Sequence, residues 1–190
     1  MNSFFSYLVN WPLFLVLKIK TIVFHNKAAA LWYEDAANFP KLNFFQLLAS
    51  RPQYREILYY RCSGFAVAIL RHIYPSYTRW SIGHPRKMTL GGGVYLDHPY
   101  CTILNAKKIG SHLKIKHMIT VGNANGGVPT IGDNVSIGCG AVVLGNIVIG
   151  NNVNIGANCV VVKDVPSNST VVGNPAYIVK LNGEKVRIKL

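Results

Sequence analysis

Three histidines in the second half of the chain have the residue type that acid–base or metal chemistry requires. His98 follows Asp97 directly, and His112 and His117 are five residues apart. A neutral imidazole can take a proton from a hydroxyl group near pH 7, and it can also bind a metal ion. None of the four cysteines has CxxC spacing, which argues against a cysteine-based zinc site or a disulfide framework.

The elements that must position these histidines have a six-residue period. From residue 131 onward, an apolar residue recurs every six positions, and a second one follows four positions after each. The first series is Ile131, Ile137, Val143, Ile149, Ile155 and Val161, and the second is Val135, Ala141, Ile147, Val153, Cys159 and Val165. β-Branched residues at a fixed period, separated by Gly and Asn, indicate a solenoid of short strands with an apolar core. A sandwich of hairpins would need turn signals every 8–12 residues, which the chain lacks.

The same period continues upstream with two irregularities. It runs through Ile103, Ile109, Ile115 and Val121, after a one-residue slip that follows Leu90 and Leu96. Val121 and Ile131 are ten residues apart instead of six, and the extra residues lie in the segment 122–129. This segment is predicted to be a flexible loop that leaves the solenoid, a common place for functional residues.

Residues 1–80 have a helical pattern. Pro52 suits the first turn of a helix over 52–74, whose apolar residues recur at spacings of three and four. A second helix is predicted near 42–50, and the mixed stretch 25–41 is predicted to be a loop. The predicted organisation is a helical region over 1–80, a solenoid domain over 81–180 and a tail over 181–190.

The charge balance predicts an anionic partner. The chain has 20 Lys+Arg against 7 Asp+Glu, a formal charge of +13. No nucleic-acid-binding motif is present, so a nucleic-acid partner is not expected, and excess surface lysine is the alternative explanation. The uncharged, apolar segment 1–17 is interrupted by Asn10 and Pro12, which favours a docking or interfacial helix over a membrane span. We predict a cytoplasmic protein, with peripheral contact at the inner membrane face as a further prediction.

The repeats identify the chain as resembling the hexapeptide-repeat acyltransferase superfamily, and residues 83–183 are most similar to serine O-acetyltransferases and related sugar or polysaccharide O-acetyltransferases. The segments that carry this resemblance are Gly-Gly-Gly-Val-Tyr-Leu-Asp-His at 91–98, Ile-Thr-Val-Gly at 119–122, Ile-Gly-Asp-Asn-Val-Ser-Ile-Gly-Cys-Gly-Ala at 131–141, Val-Lys-Asp-Val-Pro at 162–166 and Gly-Asn-Pro-Ala at 173–176. The resemblance implies an all-β solenoid, a left-handed parallel β-helix preceded by helices. It also implies a homotrimer with acetyl-CoA as co-substrate, bound in clefts between subunits, and no metal.

The resemblance implies direct acetyl transfer to a hydroxyl, with His98 as the general base and Asp97 as an acid that binds the acceptor. His117 matches a position that lines the same cleft, although a structural role at a corner is the alternative. Relatives often orient the base with an upstream carboxylate, but residues 81–84 contain no acid. A backbone carbonyl could serve instead.

The resemblance also implies which residues contact the cofactor. Ala157 and Lys163 match contacts in sugar acetyltransferases, and Lys180 matches a cation directed at the 3′-phosphate. Cys139 comes three hexads before Ala157, so it is expected to stack on it. The full set of predicted cofactor contacts is Gly122, Cys139, Ala141, Ala157, Lys163 and Lys180. Ordinary solvation is the alternative for the two lysines.

The acceptor and the competing functions stay open. Serine acetyltransferases carry Arg-His before a proline that corresponds to Pro129, where this chain has Gly127 and Val128. A sugar or small-molecule hydroxyl is therefore at least as strong a candidate as serine. A γ-class carbonic anhydrase would need a third histidine near His112 and His117 at coil spacing, and none fits. A non-catalytic β-helix scaffold is the other alternative.

Overall fold

The computed structural model describes residues 27–41, 50–61, 80–83, 87–124 and 126–190. The chain divides into two compact units at the Tyr77–Thr78 junction. The predicted helix over 42–50, the end of the helix over 52–74, the segment 1–17 and His84 lie wholly or almost wholly outside the described residues. In the described part of the chain, no helix is long and apolar enough to cross a bilayer.

The first unit contains two described helices, α1 (Lys27–Ala36) and α2 (Pro52–Arg61). The loop predicted over 25–41 is therefore wrong, because most of that stretch is helical. The helices are joined by a buried pair in which Arg61 Nε donates to Asp35 Oδ2 at 2.8 Å. Both side chains are almost fully excluded from solvent, and such pairs are costly to break from one side.

The second unit is a left-handed parallel β-helix of about five turns, so the predicted fold class is confirmed. Its strands are β1 (Trp80–Ile82), β2 (Thr89–Leu90), β3 (Tyr95–Leu96), β4 (Thr102–Leu104), β5 (Lys108–Ile109), β6 (Lys114–Ile115), β7 (Thr120–Gly122), β8 (Thr130–Ile131), β9 (Ser136–Ile137), β10 (Val142–Leu144), β11 (Val148–Ile149), β12 (Asn154–Ile155), β13 (Val160–Val161), β14 (Ser169–Val172), β15 (Tyr177–Leu181) and β16 (Glu184–Lys189).

The strands stack into three sheets that form the three faces of the β-helix. Sheet A has the order β1-β4-β7-β10-β13, sheet B has β11-β8-β5-β2, and sheet C has β16-β15-β14-β12-β9-β6-β3. All pairings between the described strands are parallel except those of β15 with β14 and β16, which close the C-terminal end as an antiparallel hairpin. The segment predicted as a tail over 181–190 thus contains the whole of β16, the edge strand of sheet C.

The core consists of the predicted columns of Ile and Val. Ile131, Ile137, Val143, Ile149 and Ile155 are each at most 1% exposed. Each such side chain contributes roughly 1.5–3 kcal/mol on burial, so the stacked column holds the coils together. The second series is also buried, from Val135 to Val165.

The prediction that Ile103 belongs to the buried column is wrong. Ile103 is 48% exposed, whereas its neighbour Leu104 is 1% exposed and pairs with the core residue Val121. The register explains this difference, because the coil that runs from Leu96 to its partner Ile115 is one residue longer than three hexads. Leu104 is eight residues after Leu96 and five before Ile109, so the turn 97–101 adds two residues to the hexad and the following turn lacks one, which places residue 104 inward instead of 103.

The second irregularity is the predicted loop over 122–129. The coil that runs from Val121 to its partner Val143 is four residues longer than three hexads, which confirms the insertion. The backbone N–H groups of Ala124 and Gly127 each donate to the other's carbonyl, at 3.1 and 3.3 Å. The insertion therefore ends in a hydrogen-bonded hairpin turn.

Candidate active site

The turn after β3 presents His98 to solvent. Asp97 N–H donates to the carbonyl of Ile115 at 2.9 Å, and Tyr100 N–H donates to the carbonyl of His98 at 2.7 Å. His98 has a φ of 52°, a left-handed conformation that few residues other than Gly and Asn adopt readily. This tight turn leaves the side chain of His98 67% exposed, so its imidazole is available to a substrate.

The side chains around His98 include one carboxylate and one cation. His98 Nε2 is 3.7 Å from Asp97 Oδ1, and Lys116 Nζ is 4.0 Å from Asp97 Oδ2. Both distances exceed that of a hydrogen bond, so these contacts are electrostatic. The Tyr100 ring stacks beside the imidazole, with centroids 6.3 Å apart and planes at 21°. The described upstream residues Trp80–Gly83 provide no acid, as the sequence indicated.

The strand register places four of the predicted site residues at one corner of the β-helix. Leu96 pairs with Ile115, and Ile115 pairs with Ile137 and through it with Ile155. Two positions beyond these core residues are His98, His117, Cys139 and Ala157. We call these four residues the His98 column.

Hydrogen bonds between successive coils support the stacking of His117, Cys139 and Ala157. Gly140 N–H donates to the carbonyl of His117 at 3.1 Å, and Asn158 N–H donates to the carbonyl of Cys139 at 2.9 Å. Gly138 has no room for a side chain, because a Cβ there would lie 2.6 Å from the backbone nitrogen of Ala157. Below the two histidines, the column therefore consists of the small residues Cys139 and Ala157.

The other predicted cofactor residues are elsewhere. Gly122 is buried at the end of β7, where it pairs with Leu144, and Lys163 is exposed just after β13, at the same corner. Both lie where the strands of sheet A finish, whereas the His98 column lies where these strands begin. Lys180 is exposed on β15, between Thr170 and Lys185.

Ala141 is a poor candidate for a cofactor contact. Its side chain is fully buried in the core. Its N–H donates to the carbonyl of Gly138 at 3.3 Å, and its carbonyl accepts from Thr120 N–H at 3.0 Å. Ala141 belongs to the second apolar series, whose members face inward, so it presents no side chain to a ligand.

The carbonic anhydrase alternative is not favoured by the geometry. His112 follows β5 and His117 follows β6, so the two histidines occupy different corners of the coil. Within the described ranges, no group of three or more His, Cys, Asp or Glu side chains is arranged to hold a metal ion.

Burial raises the pKa of one thiol in the β-helix. The side chain of Cys159 is fully excluded from solvent, and this desolvation raises the pKa of the thiol above its ordinary value of 9.0. Cys159 thus behaves as an apolar core residue. Cys101, by contrast, is exposed in the turn that contains His98.

Comparison with known proteins decides the family. The family model described as bacterial transferase hexapeptide (six repeats) matches residues 129–163. A serine acetyltransferase from Synechocystis sp. is 38% identical over 177 residues, which cover 90% of this chain and 69% of that protein. The chain belongs to the serine acetyltransferase family.

Two further relatives and one solved structure support this assignment to the family. The chain is 40% identical over 126 residues to a serine acetyltransferase from Staphylococcus xylosus, covering 62% of this chain and 58% of that protein. It spans 31% of a probable serine acetyltransferase from Oryza sativa, at 45% identity over 53% of this chain. The crystal structure of the Neisseria gonorrhoeae serine acetyltransferase matches with a TM-score of 0.64 at 30% identity, covering 84% of this chain and 68% of that one.

Membership of this family confirms three predictions. The hexapeptide-repeat superfamily, an acetyl-CoA-dependent O-acetyltransferase and acetyl-CoA as co-substrate are all supported. A solved serine acetyltransferase in complex with CoA is among the similar structures, with a TM-score of 0.61 at 27% identity.

The sequence interpretation missed Lys116 and Tyr100. Lys116 is 19 residues after Asp97, one more than three hexads. Counting in whole hexads therefore pairs Asp97 with Ile115 and misses the contact with Lys116 that the strand register brings about. The one-residue slip after Leu96 was the signal that would have revealed the contact.

Proposed function

We propose that this chain transfers the acetyl group of acetyl-CoA to a hydroxyl by direct attack, with His98 as the general base. The observation that supports this role is the exposed imidazole of His98 at the head of a column that also contains His117, Cys139 and Ala157. No covalent enzyme intermediate is needed if the thioester and the alcohol meet at this corner.

In the proposed reaction, neutral His98 takes the hydroxyl proton as the oxygen bonds to the thioester carbon. Collapse of the tetrahedral intermediate breaks the C–S bond and releases the CoA thiolate, which recovers the proton from the imidazolium. Asp97 lies 3.7 Å from Nε2 and stabilises this positive charge electrostatically. Tyr100 limits rotation of the imidazole by stacking on it.

The proposed cofactor contacts are Cys139 and Ala157 along the column, with Lys163 and Lys180 as phosphate-binding cations. His117 is proposed to line the cleft, since it is exposed one coil below His98. Gly122 stays a weaker candidate, because it is buried at the end of β7, whereas Lys163 at the same corner is exposed.

The names of the relatives favour serine as the acceptor. A sugar or other small-molecule hydroxyl is a second candidate, and the electrostatics of the corner support it. The carboxylate of Asp97 already faces Lys116 and His98, and the described residues of the loop, 122–124 and 126–129, carry no charged side chain that could bind an amino-acid carboxylate.

We propose that the chain assembles as a homotrimer through the outer face of sheet A. The register aligns five outward side chains on this face, and none is charged: Ser81, Ile103, Thr120, Val142 and Val160. The outer rows of sheets B and C contain Lys108 and Lys114, respectively. Copies with a formal charge of +13 repel each other least across the uncharged face.

This arrangement would also unite the predicted cofactor residues. Gly122 and Lys163 are at one edge of sheet A and the His98 column is at the other. A neighbouring copy can bring its Lys163 corner to the His98 column, which a single chain cannot do.

We further propose a cytoplasmic location, the activity within residues 81–180, and peripheral membrane contact through residues 1–24. Co-sedimentation with anionic vesicles tests the last point. Binding should weaken with added salt and with deletion of residues 1–24. Equal binding of the truncated and full chains would contradict it.

Replacing His98 tests the proposed function. Asparagine tolerates the left-handed backbone of this turn, so His98→Asn should fold normally and lose the base. Thiol release from acetyl-CoA, followed with serine, homoserine and a panel of sugars, should fall about 10²–10⁴-fold.

His112→Asn is the matched control, because His112 is another exposed histidine with a φ of 59° at a different corner. It should retain the activity of the unmodified chain. Unchanged thiol release by His98→Asn would contradict the assignment of the base, and an unmodified chain that releases no thiol with any acceptor would support the scaffold alternative.

A further inference from the structure

The electrostatic environment of Asp97 determines which acceptors can approach His98. Residues 78–190 contain four acidic side chains: Asp97, Asp133, Asp164 and Glu184. Asp133 accepts from Ser111 N–H at 2.7 Å and Asp164 accepts from Val148 N–H at 2.8 Å, both at other corners. Glu184 begins β16, in the C-terminal hairpin. Asp97 is thus the one carboxylate of this unit beside the His98 column.

Lys116 occupies the position directly below Asp97. The pairing of β3 with β6, continued by the bond from Asp97 N–H to the carbonyl of Ile115, places Asp97 over Lys116. Lys116 Nζ is 4.0 Å from Asp97 Oδ2, and the two side chains are 57% and 38% exposed. From its own chain, a substrate entering this corner therefore meets one carboxylate, which has a lysine 4.0 Å away.

This pair of charges has opposite consequences for two classes of alcohol. An ammonium group next to the reacting hydroxyl would need the carboxylate of Asp97 and would face the like charge of Lys116. A carboxylate or phosphate next to the hydroxyl would be attracted by Lys116, whose ammonium has donors to spare. Attraction and repulsion together give specificity, since selection depends on the difference between two affinities.

We propose that Lys116 is a specificity-determining residue that selects a hydroxyl acceptor with an anionic group, a carboxylate or a phosphate, and without an ammonium group near the hydroxyl. The proposal rests on the proposed function, because it assumes that the acceptor hydroxyl binds beside His98. It narrows the second candidate acceptor, a sugar or other small-molecule hydroxyl, to alcohols with an anionic group.

Two matched series of alcohols test the proposal with the full chain and acetyl-CoA. Glucuronate, glucose and glucosamine differ in charge on one sugar framework, and glycerate, glycerol and serinol do so on three carbons. Glycerol 3-phosphate distinguishes phosphate from carboxylate. The measured quantity is the ratio of kcat/KM for the anionic alcohol to kcat/KM for the cationic alcohol, from initial rates of thiol release.

The unmodified chain should prefer the anionic member of a series. Lys116→Gln should lower the anionic-to-cationic ratio about three- to tenfold, the range expected for one exposed charge pair. Lys114→Gln is the matched control. Lys114 is two positions earlier, on β6, and pairs with Tyr95, so its loss should leave the ratio within about twofold. Lys116→Arg keeps the charge and should restore the ratio.

Three results would overturn the proposal while leaving the proposed function intact. These are a preference of the unmodified chain for the ammonium-bearing alcohols, an unchanged ratio in Lys116→Gln, and an equal decrease in Lys114→Gln. Two other results would refute the proposed function, and this inference with it. They are no thiol release by the unmodified chain with any of these alcohols, and equal rates of thiol release by His98→Asn and the unmodified chain.

Discussion

The N-terminal coils of the β-helix, from β2 to β7, are less regular than the C-terminal coils, from β8 to β13. From β8 to β13 the paired strands are three hexads apart, and the predicted core residues Ile131 to Val161 are all inward. Between β2 and β7 the spacing varies. It is one residue longer than three hexads from Leu90 to Ile109 and one residue shorter from Leu104 to Val121. The turn with His98 belongs to this irregular region, and the loop over 122–129 follows it, between β7 and β8. Regular coils thus provide rigidity, and departures from the period create the turns that can hold a substrate.

The largest expected effect comes from placing a charge at position 104, compared with the same charge at position 103. Leu104→Asp buries an unpaired carboxylate in the core and should destabilise the chain by about 4 kcal/mol or more. Ile103→Asp, one residue earlier, places the same charge on the exposed face and should leave the β-helix folded but dissociate the proposed trimer. Far-UV circular dichroism and sedimentation velocity measure the two effects. Unfolding of Ile103→Asp with a folded Leu104→Asp would contradict the register.

A core truncation in the regular coils should lower stability without altering the chemistry. Ile155 is 1% exposed, so Ile155→Ala should reduce the free energy of unfolding by about 2–5 kcal/mol, measured by denaturant titration. The folded fraction should retain the kcat of the unmodified chain.

Tyr100→Ala in the irregular region is the opposite case. Tyr100 is 52% exposed, so its loss should change stability by less than about 0.5 kcal/mol. It should lower kcat, because the imidazole of His98 loses its stacked neighbour. If both variants lost stability equally, the functional division between the two regions would be wrong.

An effect confined to alkaline pH is the pH dependence that arises from Cys159. Its pKa is raised in the folded chain, so the folded state holds the thiol proton more tightly than the unfolded state does. This contribution is complete below pH 9.0, the ordinary pKa of the thiol, and is lost as the pH rises through the folded pKa.

The free energy of unfolding should therefore fall above pH 9.0 by up to about 1.4 kcal/mol per pH unit. Cys159→Ala removes the group, so its alkaline slope should be smaller than that of the unmodified chain by this amount. Denaturant titrations from pH 8 to 10.5 compare the two. Identical slopes would show that the thiol is not buried.

The regular coils could be predicted from sequence because each hexad repeats the same inward residue. The slip could be detected but not placed, since both Ile103 and Leu104 are apolar and only the strand pairing distinguishes them. The contact between Asp97 and Lys116 was missed for the same reason. The antiparallel hairpin of β15 and β16 has no hexad signal, and helix α1 was predicted to be a loop because its sequence is mixed. Local periodicity predicts stacked elements well, but it cannot show how an insertion shifts their register.

The C-terminal hairpin also determines the size to which assemblies of this fold can grow. A parallel solenoid that ended on a bare coil would expose a row of unpaired N–H and C=O groups on which another copy could continue the stack. Here β15 and β16 turn antiparallel to that stack, and the outermost strand carries Lys185, Arg187 and Lys189. Reversed strand direction and repulsion between like charges both oppose end-to-end addition at this terminus. The hairpin therefore disfavours stacking of a second copy on this edge, in keeping with the proposed side-by-side trimer.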